Sequence, residues 1–402
     1  MRIFALALLA SLAAAPASAQ DLVANGRYQA VLGDCAGCHT APGGKSLAGG
    51  MVLETPFGKI AVPNITPDRE TGLGNWSEAD FRRAMREGIG PGGKRLYPAM
   101  PYPAYARMPD ADIAALWAYL KTVTPVRRAV ETNLLPFPYN IRTLMAGWNW
   151  LHPSPAGFVP APGKSADWNR GAYLVTGPGH CGACHTAKTF LGADRSEAFT
   201  GASLQGWFAP EITNAKPHGV GNWSTDDVVA YLKSGWNAHA AAAGPMVEVV
   251  ENSTSQMTDA DLKAIAVYLK DQPAGAVTRP QKALPTGDSS MQAGGKLYQD
   301  NCVGCHGWDG KGERLIFPPL AGNAILLQPS AESLTRVVLE GAQAAGTTAA
   351  PTAPAMPSFA WKLDDAQLAA LLTYIRNSWG NDAAPVSAAS VAKIRKSLRD
   401  KR

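Results

Sequence analysis

The sequence predicts an all-α protein of three tandem domains, and three observations carry that expectation. A short cysteine-histidine motif recurs three times along the 402 residues. The segments before and after each motif repeat the same glycine, serine and aromatic landmarks. Those segments also space their apolar residues at the helical period. With 46% hydrophobic residues, the chain can bury a core in each of several domains of ordinary size. The repeat sets the domains at 20–125, 167–274 and 290–383, with proline-rich connections at 126–166 and 275–289 and a basic tail at 384–402.

The N-terminus comes first. Met1-Arg2, an apolar run from Ile3 to Ala15, then Pro16 and Ala17-Ser18-Ala19 read as a secretory signal peptide over 1–19. Export is the expectation. No later stretch offers the roughly 18 uninterrupted apolar residues that a spanning helix needs. The formal charge of +5 is not gathered into a basic face, which argues against nucleic acid as a partner.

Each repeat then opens with a helical segment carrying a glycine and an aromatic: Gly26-Arg27-Tyr28, Gly171-Ala172-Tyr173 and Gly295-Lys296-Leu297-Tyr298. Next stand Cys35-Ala-Gly-Cys38-His39, Cys181-Gly-Ala-Cys184-His185 and Cys302-Val-Gly-Cys305-His306, which use all six cysteines. In C-x-x-C-H the two thiols share one face of a helical turn, where each can add to a vinyl group of a porphyrin. The histidine then lies beneath the iron as its proximal ligand. Disulfides, a zinc knuckle or a thioredoxin-like pair are the rival uses of such a motif. Three copies that consume every cysteine, more than a hundred residues apart, favour three covalently attached haem c groups.

A helix opened by serine follows each motif, at Ser77, Ser224 and Ser330, and a glycine stands eleven residues later in all three, at Gly88, Gly235 and Gly341. The last helix repeats most closely, from Met108 to Tyr119, Met257 to Tyr268 and Leu363 to Tyr374. An N-terminal helix with a small glycine crossing a C-terminal helix with an aromatic, around a central haem, resembles the class I cytochrome c fold.

Three methionines in proline-flanked loops are the candidate distal ligands: Met100, Met246 and Met356. Met100 and Met246 each lie 62 residues beyond the second cysteine of their motif; Met356 lies 51 beyond Cys305. Met108 and Met257 align with Leu363 and are read as core. His239 is a rival ligand; His152, His180 and His218 receive no role. Met/His ligation fills the coordination sphere, which suits electron transfer and disfavours oxygen or peroxide binding. Pro63, Pro210 and Pro319 occupy matching places, where their carbonyls can accept the imidazole N–H or serve only as turn formers. Trp76 and Trp223, in a shared Gly-Asn-Trp-Ser, are candidate propionate donors. Gly88-Ile-Gly90-Pro-Gly-Gly93-Lys94-Arg95 imitates a phosphate-binding loop but follows a helix and lacks the Ser or Thr that would bind magnesium. It is read as a flexible loop at the haem edge.

The three motifs, Ile65-Thr66 and Ile212-Thr213 before Gly-Asn-Trp-Ser, Tyr97-Pro-Ala-Met100-Pro-Tyr102, Leu135-Pro-Phe-Pro-Tyr-Asn-Ile-Arg142 and Gly244-Pro-Met246 together resemble a known family. It is the triheme cytochrome c subunit of bacterial membrane-bound dehydrogenases, which oxidise alcohols, aldehydes, gluconate or fructose. The resemblance implies a periplasmic subunit without catalytic residues of its own. It would take electrons from a dehydrogenase catalytic subunit and pass them to ubiquinone or a terminal oxidase. A haem enzyme of the peroxidase or thiosulfate dehydrogenase type, or a free electron shuttle, are the alternatives. In the tail, Val391, Ile394 and Leu398 fall on one helical face among basic residues, fit for an anionic membrane surface, a partner, or a frayed solvated end.

Overall fold

The computed structural model describes residues 19–275 and 283–400. The signal-peptide reading therefore falls outside the described residues apart from Ala19. The middle of the second connection and the last two residues fall outside as well.

Three successive helical units emerge. The first contains α1 (Ala19–Leu32), α2 (Cys35–His39), a hairpin of β1 (Val52–Thr55) and β2 (Gly58–Ala61), α3 (Glu78–Glu87), α4 (Tyr102–Tyr105) and α5 (Asp110–Leu120). After α6 (Met145–Leu151), the second unit runs through α7 (Ala166–Thr176), α8 (Gly182–His185), β3 (Ala202–Leu204), β4 (Trp207–Ala209), α9 (Thr225–Ser234), α10 (Pro245–Asn252) and α11 (Asp259–Lys270). The third has α12 (Ser289–Asn301), α13 (Val303–His306), α14 (Glu332–Glu340), β5 (Ala342–Gln343), β6 (Ala355–Met356) and α15 (Asp365–Arg376), and is followed by α16 (Ala388–Arg399). Helices dominate as expected, but the all-α reading missed the antiparallel hairpins. In the first, Val52 pairs with Ala61 and Thr55 with Gly58. Strands of two to four residues are too short to show a period of two in the sequence.

In every unit the first and last long helices cross: α1 on α5, α7 on α11 and α12 on α15. Glycine makes the crossing possible. A Cβ at Gly26 would lie 1.9 Å from the Ala115 carbonyl oxygen, and at Gly171 it would lie 2.0 Å from that of Ala264. In the third unit the crossing glycine is Gly294, 2.2 Å by the same measure from the Ala370 oxygen, and not Gly295 as the repeat suggested. Tyr119, Tyr268 and Tyr374 pack over these glycines. Met108, Met257 and Leu363 are buried, as core residues at that register should be.

Local chemistry explains the helix boundaries. Ser77 and Ser224 each accept the N–H of a residue three on, Asp80 and Asp227, whose carboxylates bond back to the serine N–H in a capping box. Gly88 and Gly235 end those helices at φ 65° and 77°, a conformation that a Cβ would strain. The third copy starts one residue late: Ala331 is the cap and Ser330 accepts only the N–H of Glu332.

The proline-rich segment 126–166 doubles back along the first unit. Asn64 Nδ2 donates to the Val126 carbonyl at 2.7 Å, Tyr97 to that of Tyr139 at 2.9 Å, and Tyr102 to Asn149 at 2.6 Å. The tail is neither frayed nor free to insert its apolar face elsewhere. In α16, Val391 and Leu398 are buried in the core of the third unit with Ile394 beside them. Arg395 bonds Asp365 and the carbonyls of Ala360 and Leu363 at 2.6–2.9 Å.

Candidate haem sites

Each motif helix begins right after the first long helix, so the cysteines and histidine project from a short turn anchored to the crossing pair. All six cysteines are free thiols. Burial pushes Cys35, Cys38, Cys181 and Cys302 up to about 12. A thioredoxin-like pair needs the opposite, a thiol lowered towards neutrality. Thiols raised in this way are not poised for disulfide exchange.

The histidines carry the clearest geometric signal. Nδ1 of His39 lies 2.8 Å from the Pro63 carbonyl oxygen, Nδ1 of His185 lies 2.6 Å from that of Pro210, and Nδ1 of His306 lies 3.0 Å from that of Pro318. The third acceptor corrects the reading from sequence, which chose Pro319. That carbonyl instead accepts from Asn323 at 2.9 Å. Burial lowers the pKa of all three rings against the opposing pull of the carbonyl bond. Each ring is therefore neutral at pH 7, with Nδ1–H donated to the proline carbonyl and the Nε2 lone pair free, the tautomer that a metal ligand requires. His39 and His185 keep part of their surface accessible. The residues present fit a covalently held haem: two thiols for the vinyl groups and one oriented imidazole for the iron.

The candidate distal residues sit in three different local settings, a turn, a helix start and a strand. Met100 packs beside the core of the first unit, just before α4. Met246 lies at the start of α10 beside Ala242 and Val250. Met356 lies in β6 against the core of the third unit. His239 is already engaged: its ring stacks on Trp223 at 5.6 Å between centroids, and Nε2 is 3.4 Å from the Asp227 carboxylate. Trp223 is thus partnered through its face, while Trp76 lies against Gly90.

His180, given no role from sequence, lies between two motifs. Its Nε2 is 3.2 Å from the Gly33 carbonyl oxygen, and its ring meets Tyr105 edge-on at 5.6 Å. Gly33 and His180 both stand just ahead of a motif, so the sites of the first two units are set close together. The one available signal was that Asp34 and His180, both directly before a cysteine, belong to types that tolerate the left-handed backbone they adopt, at φ 44° and 34°.

The cytochrome c family model matches residues 23–124 and 291–379, the first and third units. The alcohol dehydrogenase (quinone) cytochrome c subunit of Komagataeibacter europaeus is 41% identical over 411 residues, covering 98% of this chain and 88% of that one. The gluconate 2-dehydrogenase cytochrome c subunit of Pantoea cypripedii is 40% identical, covering 93% and 90%. The fructose dehydrogenase cytochrome subunit of Gluconobacter japonicus is 38% identical, covering 94% and 84%. The chain belongs to this family of dehydrogenase cytochrome c subunits. Covalently bound haem c and an electron-transfer role follow from membership. In a cytochrome c, a histidine-to-carbonyl bond of this kind would hold a proximal imidazole still. Haem supplies one-electron chemistry when bound; the protein orients the imidazole and desolvates it.

Proposed function

We propose that this cytochrome is a triheme electron-transfer subunit, built of three tandem class I domains. It would accept electrons from a separate dehydrogenase catalytic subunit and deliver them to ubiquinone or a terminal oxidase. Cys35 and Cys38, Cys181 and Cys184, and Cys302 and Cys305 attach the haems. His39 with Met100, His185 with Met246 and His306 with Met356 complete the irons. The reading places it in the periplasm, on the outer face of the cytoplasmic membrane. The observation that carries the proposal is the threefold recurrence of one geometry, an Nδ1-to-proline-carbonyl bond behind a C-x-x-C-H turn. One occurrence would be a local accident; three that use every cysteine support a count of three. Oxidation of an alcohol or sugar acid removes two electrons together, so a two-electron cofactor on the partner must divide the pair before a one-electron relay receives them.

The intact mass of the exported protein should exceed its polypeptide by three haems, and an excess of two would sink the count. Mixed with a partner dehydrogenase, the chain's haem absorbance should reduce only when that enzyme's substrate is added. Reduction by substrate with the chain alone would move the protein into the enzyme class.

A further inference from the structure

The junction between the first two units holds a carboxyl group that the relay, as described so far, does not use. Asp34 precedes Cys35 and caps the first motif helix in a left-handed conformation, φ 44° and ψ 42°. Its side chain folds over the helix start, so a Cβ at Gly37 would lie 2.6 Å from Oδ2. Its other oxygen, Oδ1, is buried with no hydrogen-bond partner. Burying an unpaired charge beside a redox centre is costly, and the cost depends on the charge of that centre.

The surroundings of Asp34 come from both units. Cys35 and Cys38 of its own motif feel its charge, and so does Cys184 of the second. Tyr105 on α4 lies within its field and donates to the Gly33 carbonyl. His180 holds that same carbonyl from the other side. From α10, which packs against α2, comes Glu248, a like charge. Once the cysteines are thioethers they carry no charge. Burial pushes the Tyr105 hydroxyl up and the His180 ring down, so both stay neutral.

We propose that Asp34 is a shared potential-setting residue, one carboxyl from the first unit that acts on the haem sites of the first and second units together. A negative charge at this junction stabilises the more positive, oxidised state of each site and lowers both potentials; a neutral carboxyl releases both. Burial first, then Glu248, lifts the carboxyl to about 7 against the Gly37 N–H. The charge is therefore present above neutrality and lost below it. Reduction of either site draws a proton from solvent onto the carboxylate as the electron arrives from the donor; oxidation returns the proton to solvent.

The inference rests on both motifs being haem sites, so haem content by mass is measured first on every sample. The test is a mediated potentiometric titration of the full holoprotein at pH 5.5 and pH 8.5, comparing wild type with Asp34→Asn. Asparagine keeps the size and tolerates the left-handed backbone. At pH 8.5 two of the three midpoints should rise together in the variant. A tenfold change in each equilibrium corresponds to about 59 mV for one electron. At pH 5.5 the two proteins should coincide. A variant with full haem content in which one midpoint moves, none moves, or all three move alike at both pH values would overturn the proposal. Titrating propionates would leave the variant as pH-dependent as wild type, which overturns it too. Should the variant fail to take up haem, the unmutated protein decides. Reduction in weak buffer near pH 7 should alkalinise the solution, and an unchanged pH would refute the assignment.

Discussion

Across the junction of the first two units, Tyr28 donates to Asp261 at 2.7 Å and Tyr173 donates to Asp112 at 2.5 Å, the same pair made twice in opposite directions. At the matching places the third unit has Lys296 and Gln367, and no such exchange is made there. It meets the second unit through α14, where Ser333 bonds both backbone groups of Phe208 and the Arg336 guanidinium lies 4.3 Å over Trp207. Leu32 at the end of α1 is buried in the core of the second unit, whereas the third closes its own core with α16. Trp308 and Trp361 of the third unit stay 67% and 82% exposed. The comparison teaches that repeats alike in chemistry differ in what completes them. The first two units exchange tyrosine-carboxylate bonds and core residues and bring their motifs together; the third closes most of its core with α16 and meets the second through α14 and a small cluster of Ala345 with Ala242 and Val250.

The crossing glycines, common to all three units, give the largest expected effect. Gly26→Ala, Gly171→Ala and Gly294→Ala each drive a methyl group into a backbone carbonyl. Overpacking usually costs about 1–3 kcal/mol, but a methyl group set 1.9–2.2 Å from a backbone oxygen that cannot swing aside should cost more than about 5 kcal/mol, the exceptional end of single-residue effects. Because the first two units share a boundary, Gly26→Ala should lower the unfolding temperature of both, while Gly294→Ala should lower that of the third alone. Calorimetry of the whole holoprotein reads this. A single transition that all three variants shift alike would erase the distinction between the pair and the third unit.

Next in size is the self-closure of the third unit. Leu398→Ala should cost about 2–5 kcal/mol, the range for a buried leucine, and the loss should appear in the third unit's unfolding. Truncation after residue 385 should expose that core without changing binding to anionic vesicles, because the apolar face of α16 is already spent on α15 and its neighbours. Loss of vesicle binding at unchanged stability would restore the membrane role to the tail.

What was legible in the sequence is what depends on neighbours along the chain. The thiol pairs, the capping serines at 77 and 224, and the buried register of Met108, Met257 and Leu363 all follow from spacing. Errors arose where two adjacent residues of the same type compete. Pro318 and Pro319, like Gly294 and Gly295, differ only in where the loop or the helix crossing points them. The face of Val391, Ile394 and Leu398 was visible, but what covers it was not, since a hydrophobic face does not name its partner. His180 and Gly33 were illegible as a pair because their meeting depends on how two units dock.

The smallest expected effect sharpens the comparison most, because it bears on the reciprocal bond directly. Tyr28→Phe removes a hydroxyl that donates to a carboxylate, a bond worth about 1.5 kcal/mol in a partly exposed setting, and that also accepts the Thr258 N–H at 3.1 Å; Tyr173→Phe removes its counterpart. Burial raises the Asp261 carboxyl, but hydrogen bonds from Arg170 and Tyr28 outweigh it and hold the group below its ordinary value of 3.8. A carboxylate depressed in the folded state stabilises fully above its unfolded value and loses that contribution as pH falls through the folded one. Urea unfolding at pH 7 should therefore show Tyr28→Phe weaker than wild type, and at pH 3 the gap should narrow. Asp261→Asn at pH 7 should resemble wild type in acid. In a double-mutant cycle, Tyr28→Phe with Asp261→Asn should show coupling, while Tyr298→Phe, whose hydroxyl donates to the Gly307 carbonyl within its own unit, should be additive with Asp261→Asn. A gap between Tyr28→Phe and wild type that is as wide at pH 3 as at pH 7 would mean that the tyrosine acts by packing and through the Thr258 N–H that it accepts. The carboxylate would then have no part in joining the two units.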